Sequence, residues 1–167
     1  MKIKVKITTP SNMKHFKCAS GTIVEVELED YVRCVVASEI GKASLEACKA
    51  QAVASRTFAA SRGVLEGKVI SDDAGKAQAY IAARDYYDVC NQAAAETAGE
   101  VLTYDGQYCT TYFSHSNGGT VYACEEVWSQ KKPYLVHRTD EWTKKSGVKR
   151  NGHGIGMSQA GAKYAAS

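Results

Sequence analysis

The 167-residue sequence contains no apolar run near the roughly 20 residues that a membrane-spanning helix needs, and no signal-peptide core opens it. Work outside the cytoplasm would therefore require a leader already removed, or one carried by a larger parent chain. Basic runs and stripes are also missing. A net charge of +3 and a pI near 8.5 are too mild a signal for a nucleic-acid binder. The mild excess suits an anionic cell wall but does not specify one. Six cysteines (18, 34, 48, 90, 109 and 124) include no Cys-x-x-Cys, and a chain this long does not need a disulfide framework. Cys34 and Cys48 lie in Ala- and Val-rich helical patterns, so the expectation is mostly reduced, packed thiols. Gly-x-Ser-x-Gly is absent, which removes the nucleophile elbow of a Ser-His-Asp hydrolase. Phe and Trp are scarce, at three and two, against ten Tyr. That balance points to a wet, tyrosine-lined surface suited to sugars or peptides.

The chain does have enough apolar residues, 44%, to bury a core within one domain spanning 1–167. Lys2 to Ile7 alternates Lys with Ile and Val and reads as an edge-type strand with one wet face. Pro10-Ser11-Asn12 breaks it. A second alternating run, Ile23 to Glu29, carries glutamates on its wet face, so antiparallel pairing with the lysine strand is favoured. Three Ala-rich helices are predicted at about 30–40, 45–65 and 82–97, with Ser44 as an N-cap and 69–80 as a loop. Val101 to Tyr104, Asp105-Gly106 and Tyr108 to Phe113 form a hairpin signature. The stretch 114–120 is a glycine-bearing turn, and the chain is irregular beyond Trp128 before a short Ala-rich tail. The expected class is α+β, a helical core with antiparallel β segments.

One side chain is out of place in the first helix. Val32, Val35, Val36 and Ile40 form an amphipathic stripe, and Glu39 falls on the same face. An unpaired buried carboxylate has its pKa raised, and an acid protonated near neutral pH is what general-acid catalysis uses. The competing reading has Glu39 reaching solvent at the helix end or pairing with a base such as Arg56. Metal-ligand spacing is weak: His115 and Cys109 share strand parity but lie roughly 20 Å apart along a strand, and His15, His137 and His153 have no partner at ligand spacing. No metal site is expected. Gly152-His153-Gly154-Ile155-Gly156 follows no βαβ pattern. It reads either as a place where backbone approaches a ligand closely or as a tight structural turn.

Several blocks, in order, carry a family likeness. They are Val32 to Glu39, Leu45 to Ala59, Gln78-Ala79-Tyr80, Gly99 to Tyr104, Tyr112-Phe113, Ser116 to Gly119, Val127-Trp128, Pro133-Tyr134-Leu135 and Gly152 to Ala162. Together they resemble the stage II sporulation protein D / LytB (SpoIID/LytB) family. The resemblance implies a peptidoglycan lytic transglycosylase, whose sporulation relatives act on glycan strands stripped of stem peptides, working outside the cytoplasm or at the wall without a cofactor. By motif position Glu39 is the catalytic acid. Arg56 matches an arginine implicated in activity, placed to face back toward Glu39 across the helical hairpin. Substrate contacts are implied at Arg56, Gln78, Tyr80, Ser116, Asn117, Tyr134, His153 and Gln159. Asp73, in the Gln78 loop, is the one candidate for a second carboxylate and is expected to be structural. The LytB side of the family implies a second possibility, a non-catalytic glycan-binding module that enhances a cell-wall amidase; a phage or conjugation context is a third. Three departures from the family pattern stand out. Val136 replaces a lysine, Ser71, Lys76 and Ala77 occupy a segment where some relatives bind zinc, and the sequence stops at Ser167, short of a further helix and a Tyr-Tyr segment.

Overall fold

A computed structural model describes residues 1–84 and 87–167. It is an α+β structure, in chain order β1 (Lys2–Lys6), α1 (Pro10–Phe16), β2 (Ile23–Glu27), α2 (Leu28–Glu39), α3 (Leu45–Ser61), β3 (Val69–Ser71), α4 (Asp88–Glu96), β4 (Thr103–Tyr104), β5 (Gln107–Tyr108), β6 (Phe113–Ser114), β7 (Thr120–Val121), α5 (Cys124–Val127), β8 (Arg138–Thr139), α6 (Glu141–Ser146), β9 (Met157–Ser158) and α7 (Gln159–Ala165). A 3-10 turn, Val64–Glu66, follows α3.

The charge complementarity of the first two strands is realised. They pair antiparallel, with Lys2 opposite Glu27 and Lys4 opposite Glu25, while Ile3 and Val5 face the core. The edge assignment for the first strand is corrected, because β1 is the middle strand of the order β2-β1-β3. The third strand pairs parallel to Lys4–Lys6 and buries Ile70. It falls in a stretch expected to be loop, three residues being too few to show alternation. Pro10 begins a helix instead of only breaking a strand: it occupies the first turn, where its missing N–H costs nothing.

Helices α2, α3 and α4 form the core. Val32, Val35 and Val36 are fully buried, and Ala47, Ala52 and Ala59 of α3 with Ala93 and Ala94 of α4 let the backbones approach closely. The third predicted helix, 82–97, is shorter than expected: α4 begins at Asp88, and residues 85 and 86 of that prediction lie outside the described residues. The Asp105-Gly106 turn has φ of 49° and 73°, the left-handed pair of a type I′ hairpin, but each arm is only two residues long. The chain then leaves the hairpin, and Phe113–Ser114 pairs parallel with Met157–Ser158. The charged stretch after Asp140, expected to be irregular, holds α6, because Asp140 caps it by accepting from the backbone N–H groups of Trp142 and Thr143. Among the described residues no helix is long and apolar enough to cross a membrane.

Candidate active site

Glu39 is the last residue of α2, where the apolar stripe meets the corner at Gly41. Its side chain is half-buried, and that burial raises its pKa above the ordinary carboxylate value. A hydrogen bond donated by the backbone N–H of Ala79 to Oε1, at 2.6 Å, opposes the rise without cancelling it. Oε2 has no protein partner among the described residues, so it is the oxygen available to hold a proton.

The carboxyl opens into a cleft of about 420 Å³. One wall is the segment 74–78; the others are Phe58 and Arg62 from the end of α3, Thr111 to Phe113, Trp128 and His153. Three of these rings pack together at a tilt: Tyr112 and Trp128 centroids lie 4.7 Å apart with planes at 56°, and Trp128 and His153 centroids 5.0 Å apart with planes at 51°. Trp128 remains 38% exposed, a large apolar face presented to the cleft. Arg62 is exposed, with its guanidinium 4.8 Å from the Phe58 ring centroid, and supplies positive charge at the rim. A cleft of this size, with an aromatic wall, one held-up acid and two exposed cations, Arg62 and Lys76, suits a polar ring-shaped ligand bearing negative charge.

Of the residues predicted from sequence, the structure brings Gln78 and His153 to Glu39. Gln78 is 2% exposed and braces the loop that carries Ala79: its Nε2 donates to Tyr31 Oη at 3.2 Å and to the Ser55 carbonyl at 3.0 Å, while its Oε1 is buried without a partner. His153 is pushed below its usual pKa, first by burial and then by the nearby Arg150 charge, against a hydrogen bond with the Phe113 backbone. Its Nδ1 accepts from the Ile155 N–H at 2.9 Å, which leaves the proton of the neutral ring on Nε2. It is a positioned, neutral wall.

The others lie elsewhere. Arg56 does not face Glu39. It is 1% exposed, and its guanidinium donates to Glu29 from Nε and Nη2, at 2.9 and 2.6 Å, and to the carbonyls of Ala94 and Glu100. The physical reason is proximity: α4 ends beside α3, and its unsatisfied C-terminal carbonyls attract the cation. Tyr80 is buried, its ring 4.9 Å from that of Tyr31 and its carbonyl accepting from Asn12. Ser116 is fully buried between the Val148 carbonyl and the Gly118 N–H. Asn117 donates to Asp140 at 2.8 Å, and Gln159 donates to Gln51 at 3.1 Å. Tyr134 borders two larger grooves, of about 620 and 590 Å³, that Glu39 does not line, and its Oη accepts from the Thr110 N–H. Asp73 turns inward on its own loop, accepting from the Gly75 N–H, and does not line the cleft.

Sequence reasoning about the site missed Arg62, Phe58, Tyr112 and Trp128. All but Arg62 stand inside the family blocks, and Trp128 is one of only two tryptophans. Aromatic scarcity was the available signal. Among the described residues no three His, Cys, Asp or Glu side chains cluster as a metal site would require.

Residues 18–104 match the model of the SpoIID family, described as stage II sporulation protein. Stage II sporulation protein D of Bacillus subtilis (strain 168) is 33% identical over 157 residues, covering 83% of this chain and 46% of that protein. The protein of the same name from Bacillus amyloliquefaciens is 33% identical over 160 residues, with 83% and 45% covered. An amidase enhancer of Bacillus subtilis (strain 168) is 39% identical over 97 residues, 58% of this chain and 13% of that protein. The chain thus spans less than half the length of each of these relatives.

Proposed function

The chain belongs to the SpoIID family of stage II sporulation proteins, and on that premise we propose that it is a peptidoglycan lytic transglycosylase using Glu39 as its single acid and base. Family membership supports a role at the cell wall, and the proposed chemistry places its action outside the cytoplasm. The observation that carries the finer reading is the half-buried Glu39, its pKa raised, in an aromatic-walled cleft. Among the described residues it is the one carboxylate lining that cleft.

In the proposed reaction, protonated Glu39 donates from Oε2 to the oxygen linking N-acetylmuramic acid to N-acetylglucosamine. The bond between that oxygen and the muramic C1 breaks as the proton arrives, leaving an oxocarbenium-like centre. The muramic C6 hydroxyl attacks C1 and gives its proton to the Glu39 carboxylate, which closes an anhydro ring and restores the acid. Hydrolytic glycosidases use two carboxylates. One suffices here because the nucleophile is part of the substrate and already held at the reacting carbon. Trp128 offers a stacking face for a sugar ring. The Arg62 guanidinium would meet the lactyl carboxylate of a muramic residue that has lost its stem peptide. His153 and the Gln78 loop hold the cleft in shape.

A second reading is that of a glycan-binding module that stimulates a cell-wall amidase, supported by the likeness to a protein named amidase enhancer. Purified glycan strands incubated with wild type and Glu39→Gln separate the two. Anhydro-muramic ends from wild type, lost in Glu39→Gln, are the expected result. Reducing ends would overturn the transglycosylase reading, and undiminished cleavage by Glu39→Gln would overturn the site. Strand binding without cleavage, with equal stimulation of an added amidase by both proteins, would favour the module.

A further inference from the structure

Two residues beyond Glu39 the chain turns at Gly41, and two thiols converge on that residue's carbonyl oxygen. Cys90 Sγ lies 3.5 Å from it and Cys48 Sγ 3.9 Å. Cys48 stands near the start of α3, and Cys90 in the first turn of α4. Both are fully buried, and each shifts the other's pKa, as neighbouring thiols do. Nothing in the proposed chemistry of Glu39 uses them. Packing alone would be satisfied by alanine, which fills the buried positions 47 and 52 near Cys48 and 93 and 94 one turn beyond Cys90.

We propose that Cys48 and Cys90 are a redox site that closes to a disulfide when the protein meets a small disulfide oxidant outside the reducing cytoplasm. The contact is asymmetric in the way exchange requires. Each thiol shifts the other, Cys48 down and Cys90 up, which favours Cys48 as the attacking thiolate. Cys48 attacks one sulfur of the oxidant, forming a mixed disulfide and releasing the other half as a thiol. Cys90 loses its proton and attacks Cys48 Sγ; the mixed disulfide breaks and the second half leaves as a thiol. Two protein thiols are oxidised and one disulfide is reduced to two thiols, so atoms and electrons balance. Both sulfurs reach the same carbonyl oxygen, so the two side chains share one space between the starts of α3 and α4. The bond would staple the start of α3 to the start of α4 over the corner that follows Glu39. It stands whether or not Glu39 is catalytic. Full burial makes the reaction slow, because the helix ends must open before the oxidant can enter.

The test takes the folded protein to equilibrium with oxidised glutathione, alkylates residual thiols in denaturant, and maps the digest by mass. The expected product joins the Cys48 peptide to Cys90, two hydrogens lighter than the separate thiol peptides. The oxidised protein should melt roughly 5–10 °C above the reduced one, reversibly with dithiothreitol. Cys90→Ala should stop at the first step, with glutathione trapped on Cys48. Recovery of Cys48 and Cys90 as alkylated thiols at full oxidation would overturn the proposal. So would their appearance in cross-links to other cysteines.

Discussion

The backbone N–H of Ala79 donates to Oε1 of Glu39 at 2.6 Å, so the acid is held by the loop whose residues 74–78 wall its own cleft. The bond does two things at once. It orients the carboxyl, and by favouring the ionised form it limits how far burial can raise the pKa.

Ala79→Pro removes that donor. The proposed chemistry needs protonated Glu39, so the rate should fall as pH rises through its raised pKa, above the roughly 4.3 of a free glutamate. With the N–H gone, the alkaline limb should move to higher pH. Product release measured against pH in both proteins checks this, with circular dichroism confirming the fold. An alkaline limb that stays put would show that Glu39 does not set it.

Glu39→Gln should cost cleavage about 10²–10⁴-fold and yet stabilise the protein near neutral pH. A carboxyl whose folded-state pKa is raised contributes stability that is lost as pH rises through that pKa, and the amide has no such loss. Urea unfolding at pH 5 and pH 8 measures it: the variant's advantage should grow at the higher pH.

Arg56 offers a contrast between scaffold and chemistry. Arg56→Leu leaves Glu29 without its ion-pair partner and removes the tie from α3 to the start of α2 and the last turn of α4, and should cost about 3 kcal/mol in urea unfolding. Arg56→Leu with Glu29→Leu should recover part of that. Cleavage per folded molecule should be nearly unchanged in both, whereas a lost catalytic contact would depress it without affecting stability.

Trp128→Ala removes the exposed ring from the cleft wall. The expected loss is about 1 kcal/mol of strand binding, roughly fivefold in KM, with kcat less affected. A change confined to kcat would place Trp128 with the reacting atoms instead.

Asp72 sets the acid limit of the fold. It is 1% exposed, and burial pushes its pKa up, but hydrogen bonds from Thr8, Asn12 and Thr9 outweigh that and hold it below the ordinary value. Its stability contribution is therefore present above the unfolded pKa near 4 and lost as pH falls through the folded one. Asp72→Asn should cost about 2–3 kcal/mol at pH 7 and much less at pH 3, read from urea midpoints.

How far these features could be read in advance depended on their length and on how local they were. The pairing of Lys2 and Lys4 with Glu27 and Glu25 was visible because both strands alternate for five residues or more. The α2 stripe was visible because it runs for three turns, and Glu39 stood out against it. Asp105-Gly106 declared its turn through residues that tolerate positive φ. By contrast, Val69–Ser71 and the two-residue pairing of β6 with β9 are too short for any period. Their partners are chosen by packing between distant segments. Arg56 illustrates the same limit within the site: a family motif marked the residue, but only the fold reveals that it reaches Glu29 and the end of α4 instead of Glu39.

The parallel pair Phe113–Met157 and Ser114–Ser158 brings the end of the chain against its middle, and His153 comes with it. Gly156 makes that closure possible, because a Cβ there would collide with the Tyr112 carbonyl. The acid and the far wall of its cleft are thus supplied by stretches more than a hundred positions apart. A polypeptide ending before Met157 would carry Glu39 without the strand pairing that brings His153 to the same cleft.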